Sequence, residues 1–142
     1  MENAEQQKLR IMITDDSRLL RKKLREELER LNCEVIEAVN GKEAITFVLE
    51  HELDGIILDI VMPVVGGIAA LQVIREVAPD VPVVMLSSMG TPQKLMQCLK
   101  MGAIDFINKP YTREQIIHTV ERLKRLRTKR QEKVKAIVEG NV

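Results

Sequence analysis

Charge of one sign is the first thing this sequence lacks. Its 142 residues carry 22 lysines and arginines against 21 aspartates and glutamates, a formal net charge of +1. Nothing in that balance draws the chain to nucleic acid or to a membrane surface. Long apolar runs are missing too. None approaches the roughly 20 residues of a membrane-spanning helix, and the polar start MENAEQQKLR is no secretory signal. Cysteine is scarce: Cys33 and Cys98 lie far apart and neither sits in a C-x-x-C pair. They read as reduced, buried thiols and predict a cytoplasmic protein. His51 and His118 have no neighbours at metal-ligand spacing, which argues against a zinc site. Aromatics are rarest of all, with no tryptophan, one tyrosine and two phenylalanines. The basic stretch after Leu126 therefore offers charge without surfaces on which bases could stack, so nucleic acid is not expected as a partner.

What is present is an alternation. With 45% apolar and 30% charged residues, the chain suits one globular domain with a real core. Short β-rich runs recur: RIMIT (10–14), EVIEA (34–38), GIILD (55–59), PVVMLS (82–87) and DFIN (105–108). Stretches with helical spacing lie between them, carried by Leu20, Leu24, Leu28 and Leu31, then Ala44, Phe47 and Val48. Ala70, Leu71 and Ile74 mark the third, and Leu95, Cys98 and Leu99 the fourth. Asn40 with Glu43 and Thr112 with Gln115 are spaced as capping boxes at helix starts. Five βα units of this kind predict a doubly wound, five-stranded parallel sheet with five helices. The third and fourth strands are apolar almost throughout, as a sheet covered on both faces requires.

In such sheets ligands bind beyond the carboxyl ends of the strands, so the residues at those tips matter most. Asp59 alone would pass as a strand-ending turn residue. It does not stand alone. Asp15 and Asp16 follow the first strand, Ser87 and Ser88 end the fourth, and the fifth leads to Lys109 and Pro110. Clustered carboxylates repel one another unless a cation is present, and Mg²⁺, a hard ion taking oxygen ligands, relieves that repulsion. With a lysine and a hydroxyl for an anion and a carboxylate nucleophile, the set suits phosphoryl transfer to an acyl phosphate. Rival chemistries fit less well. A phosphate-cradling first loop would not carry two acids, and a haloacid-type hydrolase would want an aspartate where Val61 stands. A dinucleotide site would need G-x-G-x-x-G after the first strand, where ITDDSR has no glycine.

These motifs, ITDDS, LDIVMP, MLSS and INKP in that order, resemble the receiver domain of bacterial two-component response regulators, especially the stand-alone chemotaxis type. The likeness covers about residues 8–126, leaving 127–142 as a basic helical extension or tail, and implies a flavodoxin-like sheet in strand order 2-1-3-4-5. It implies Asp59 as phosphoacceptor and a histidine kinase as donor. It also implies Mg²⁺ held by Asp16, Asp59 and the backbone carbonyl of Val61, with Asp15 acting through a water. Lys109 would pair with phosphoryl oxygens, and Ser87 and Phe106 would be the switch residues. The Lys109–Pro110 bond is expected to be cis. The protein would be no enzyme in its own right, beyond self-catalysed phosphoryl acceptance and slow autodephosphorylation. Its output would pass to a partner through the fourth helix, fifth strand and fifth helix, with homodimerisation on phosphorylation a further expectation.

The pattern departs from that family in places. Gly66 stands where aspartate is common, and Val61 and Met89 are apolar at positions often polar, which predicts a long-lived acyl phosphate. Ser88 and Thr91 read as turn and cap residues, and Tyr111 as packing under the last helix. MLSSMG and KMGAIDFINKP also resemble receivers attached to chemotaxis methylesterases, so a receiver of a larger regulator, with a methylesterase or DNA-binding output, is the alternative. Finally, no proline or glycine interrupts the chain between Thr112 and Gly140, and the last helix is predicted to run to about Val138. Beyond Leu126 it reads either as a solvated end or as a linker or docking helix bearing Val134, Ile137 and Val138.

Overall fold

A computed structural model describes residues 7–140 except Met89. Five strands, β1 (Leu9–Thr14), β2 (Cys33–Ala38), β3 (Gly55–Asp59), β4 (Val83–Ser87) and β5 (Asp105–Asn108), pair in parallel in the order β2-β1-β3-β4-β5. Each is followed by a helix: α1 (Arg18–Arg30), α2 (Gly41–Glu50), α3 (Gly67–Val77), α4 (Pro92–Lys100) and α5 (Arg113–Val138). The strand order and helix number are those predicted, and the strand limits differ from the predicted ones by at most one residue.

The pleat sorts the core into two layers, because successive side chains in a strand point to opposite faces. Met12, Ile56, Leu58 and Met85 pack with Ala44, Leu71, Ile74 and Cys98, on the side of α2, α3 and α4. Ile11, Ile13, Ile57, Val84 and Leu86 pack with Leu24, Leu28, Ile116, Val120 and Leu123, on the side of α1 and α5. Every residue of β3 and β4 is buried, which is why both strands read as unbroken apolar runs. Removing one such side chain, as in Ile57→Ala, costs about 2–5 kcal/mol in cavity and transfer terms together.

The helix starts are capped largely as the sequence predicted. The Asn40 side chain accepts from the Glu43 amide at 2.8 Å. Thr112 and Gln115 form a reciprocal capping box, with bonds of 3.2 and 2.8 Å. Thr91 caps α4 through the Lys94 amide. Two details differ from expectation. Leu20, expected on the buried stripe of α1, is exposed. It lies in the first turn of α1, and the buried residues of the helix begin at Leu24. On α4 the buried residue is Cys98, while Leu95 and Leu99 are only half-covered.

Among the described residues no helix is long and apolar enough to cross a membrane. The longest is α5, 26 residues or about 39 Å at 1.5 Å per residue, ending at the predicted residue.

Candidate functional site

The carboxyl tips of β1, β3, β4 and β5 bring the predicted residues together. Asp15 and Asp59 are buried, at 3% and 4% exposure, while Asp16 faces solvent. Oxygens from the three carboxylates lie within 4.8 Å of one another. The Lys109 ammonium donates to Asp59 Oδ2 at 2.7 Å and to Asp15 Oδ2 at 2.8 Å. The remaining oxygens of the buried pair also have donors. Asp15 Oδ1 accepts the Ser17 amide at 2.9 Å, and Asp59 Oδ1 accepts the Val61 amide at 3.2 Å.

Burial sets the electrostatics. It pushes the Asp59 carboxyl above the usual range, and the Asp15 charge adds to that. The hydrogen bond and charge of Lys109 and the Val61 amide pull it back only in part. Burial works to lower the Lys109 pKa, but its bonds to Asp15 and Asp59 and their charges outweigh that and the net shift is upward. Lys109 is therefore a fixed cation. A single ammonium among three acids leaves uncompensated negative charge on hard oxygen donors, and that donor set fits a hard divalent cation such as Mg²⁺. Zinc would ask for nitrogen or sulfur ligands that the cluster lacks.

The other predicted residues lie on the same edge. Ser87 ends β4 fully buried, and the Lys109 amide donates to its carbonyl at 2.9 Å. Phe106, on β5, is half-buried against the α2–α4 layer of the core. Val61 follows β3 with its side chain exposed, and the Lys109–Pro110 bond is cis. Tyr111 packs against the core layer under α1 and α5. Met89 lies outside the described residues.

Backbone contacts fix the loop beyond Asp59. A Cβ at Gly67 would lie 2.0 Å from the Asp59 carbonyl oxygen and 2.7 Å from Ile60 Cα, so only glycine lets α3 start this close. The Gly67 amide donates to the Ile60 carbonyl, and the Gly41 amide to that of Val65. Gly66 is the N-cap of α3 and supplies no side-chain cap; these amide bonds hold the loop.

Two contributors escaped the sequence analysis. Arg21 NH1 donates to the Asp15 main-chain carbonyl at 2.7 Å, and its Nε to Glu37 at 3.2 Å. Glu37 also accepts from Arg25. A guanidinium on α1, braced by a carboxylate at the end of β2, thus steadies the acidic loop. A charged residue within a strand was the only signal.

The chain is similar to known proteins in sequence and in fold. Residues 11–121 match the family described as the response regulator receiver domain. The chain is similar to chemotaxis protein CheY of Bacillus subtilis, 32% identical over 114 residues, covering 80% of this chain and 95% of that one. It is 41% identical over 105 residues to a protein-glutamate methylesterase/protein-glutamine glutaminase of Archaeoglobus fulgidus, covering 72% of this chain but only 30% of that protein. Among solved structures it resembles chemotaxis protein CheY4 of Vibrio cholerae, with TM-score 0.77 and 27% identity, over 82% of this chain and 99% of that one. It also resembles a chain of the CheX–CheY–BeF3–Mg complex of Borrelia burgdorferi, with TM-score 0.76 and 33% identity, over 79% and 86%.

Proposed function

The chain belongs to the response regulator receiver domain family, and from that premise we propose that it is a phosphorylation-driven switch whose phosphoacceptor is Asp59. The donor is a histidine kinase. An oxygen of the Asp59 carboxylate forms the new P–O bond as the P–N bond of the phosphohistidine breaks. The electron pair returns to the imidazole nitrogen, and the product is an acyl phosphate. The observation that carries this reading is the Lys109 ammonium, 2.7 Å from Asp59 and 2.8 Å from Asp15, beside the exposed Asp16 at the strand tips.

The residues divide the work. Asp16, Asp59 and the Val61 carbonyl, with Asp15 through a water, are the groups we assign to Mg²⁺. Bound there, Mg²⁺ supplies charge neutralisation between the carboxylates and a phosphoryl group. Lys109 offers its ammonium to a phosphoryl oxygen in place of one of its present carboxylate partners. Ser87 and Phe106 are the residues we assign to relaying the change to the face of α4, β5 and α5, where an output partner would bind, in the cytoplasm. The exposed Val61 side chain has no group to orient a hydrolytic water, so the acyl phosphate is long-lived for its family. We take residues 8–126 as the receiver and 127–142 as an extension. Catalysis of any further reaction is not part of this reading.

A second reading, a receiver belonging to a longer regulator, is favoured by the 41% identity to a methylesterase of which the chain spans under a third. The size of the protein in its native cells separates the two. The main reading is tested by mass after incubation with acetyl phosphate and Mg²⁺. The wild-type chain gains a phosphoryl group and Asp59→Asn does not; equal gain by both would overturn the assignment.

A further inference from the structure

At the opposite pole of the sheet, α5 changes character along its length. As far as Arg130 it is tied to the body. Arg127 is buried, donates to the Lys8 carbonyl at 3.3 Å and pairs with Asp54. Arg130 reaches Asp54 and the Asp80 carbonyl. From Gln131 to Val138 every residue except Ala136 is exposed.

Helical geometry sets about 100° between residues, so Leu126, Arg130, Lys133 and Ile137 share one face. The first three line a groove of about 350 Å³ against the end of α3 and the turn into β4. Its charges are Arg75, Lys129, Arg130 and Lys133 against a single acid, Asp80. Leu126, Ile104 and Pro82 give it an apolar floor. Past the body, Ile137 and Val134 continue this side of the helix, 54% and 59% exposed.

We propose that this groove, with the overhang that continues it, docks an acidic amphipathic helix of a partner protein. Charge complementarity selects the partner. Among the described residues Lys129 and Lys133 are in no ion pair, and Arg125, Lys129 and Lys133 follow one another at i,i+4 spacing, where like charges repel. A row of glutamates or aspartates relieves that repulsion. The apolar floor and Ile137 accept the partner's apolar side chains, as in other helix-in-groove complexes. Nucleic acid is disfavoured because no aromatic residue lines the groove. A flat membrane surface is disfavoured because the cations and apolar floor lie in a concavity. The groove is at the amino ends of the strands, so occupancy leaves the Asp59 site open.

The test uses the whole chain and a labelled synthetic peptide helix with leucine on one face and glutamate on the other, followed by fluorescence anisotropy. Saturable, salt-weakened binding is expected. Lys129→Glu/Lys133→Glu, both exposed positions, should weaken it at least about tenfold while leaving phosphoryl labelling unchanged. The same variant should then bind a peptide with lysine in place of glutamate better than wild type does. Equal binding of acidic peptide by wild type and variant would overturn the proposal. So would absence of charge-swap rescue, or tighter binding of an RNA oligomer or anionic vesicles than of the peptide.

Discussion

β3 is bracketed by two aspartates, Asp54 before it and Asp59 at its end, and the two ends treat their carboxylates in opposite ways. Asp54 is satisfied. It accepts the Arg10 amide at 2.8 Å and faces two guanidiniums, Arg127 and Arg130, at 3.5 Å each. Cations outnumber acids there, and the pairs pin α5 to the sheet. Asp59 is more deeply buried and crowded by Asp15 and Asp16, with one ammonium for all three. An aspartate with surplus positive charge around it is a fastener. One with surplus negative charge is under electrostatic strain that a divalent cation would relieve. Position at a strand end therefore says less about role than the local balance of charge does.

That comparison can be broken most severely at the Asp59 end through Gly67. A Cβ there meets main-chain atoms of Asp59 and Ile60, which cannot rotate away. Gly67→Ala should cost about 3 kcal/mol by denaturant unfolding, as overpacking does. It should also slow labelling by acetyl phosphate on the order of tenfold or more, because Asp59 is displaced. Normal stability and labelling would mean the loop is not held by this contact.

At the other end Asp54→Asn should cost about 1–2 kcal/mol, since it leaves the buried Arg127 without its counter-charge. Labelling of Asp59 should be unaffected. Asp59→Asn should do the reverse, abolishing labelling with no loss of stability, because it removes a charge from an acid-rich cluster. Urea unfolding and mass measurement on both variants check the pair, and matching phenotypes would erase the distinction between the two ends.

A smaller effect comes from Val64, in the loop beyond Asp59. Its φ is +68°, in the left-handed region, with the side chain 75% exposed. A β-branched residue is strained there, whereas asparagine tolerates the conformation. Val64→Asn should therefore stabilise the protein by about 1 kcal/mol, read from the urea midpoint, with labelling intact. A fall in stability would show that Val64 contributes packing that its exposure conceals.

How much of this the sequence revealed follows from which interactions are local. The strands were legible because burial on both faces leaves runs such as GIILD, and the caps because Asn40–Glu43 and Thr112–Gln115 act within one turn. The Asp15, Asp16, Asp59, Ser87 and Lys109 set was legible because parallel topology forces every strand tip to the same edge. Asp54's role was hidden, since its partners Arg127 and Arg130 lie more than 70 residues away and ion pairs leave no periodic signature. Arg127 itself looked like the start of the basic stretch after Leu126, yet it is buried as a cation. The left-handed Val64 was hidden as well, because the position holds neither glycine nor asparagine, and the glycines of that loop follow it at 66 and 67.

The central claim, that Asp59 and not another carboxylate takes the phosphoryl group, is tested most directly by trapping the product. Borohydride reduces an aspartyl phosphate to homoserine, and tandem mass spectrometry of the digested chain locates the reduced residue. After treatment with acetyl phosphate and Mg²⁺, the account predicts homoserine at position 59 alone. Homoserine at position 15, 16 or 54, or none in a chain that has gained phosphate, would contradict it.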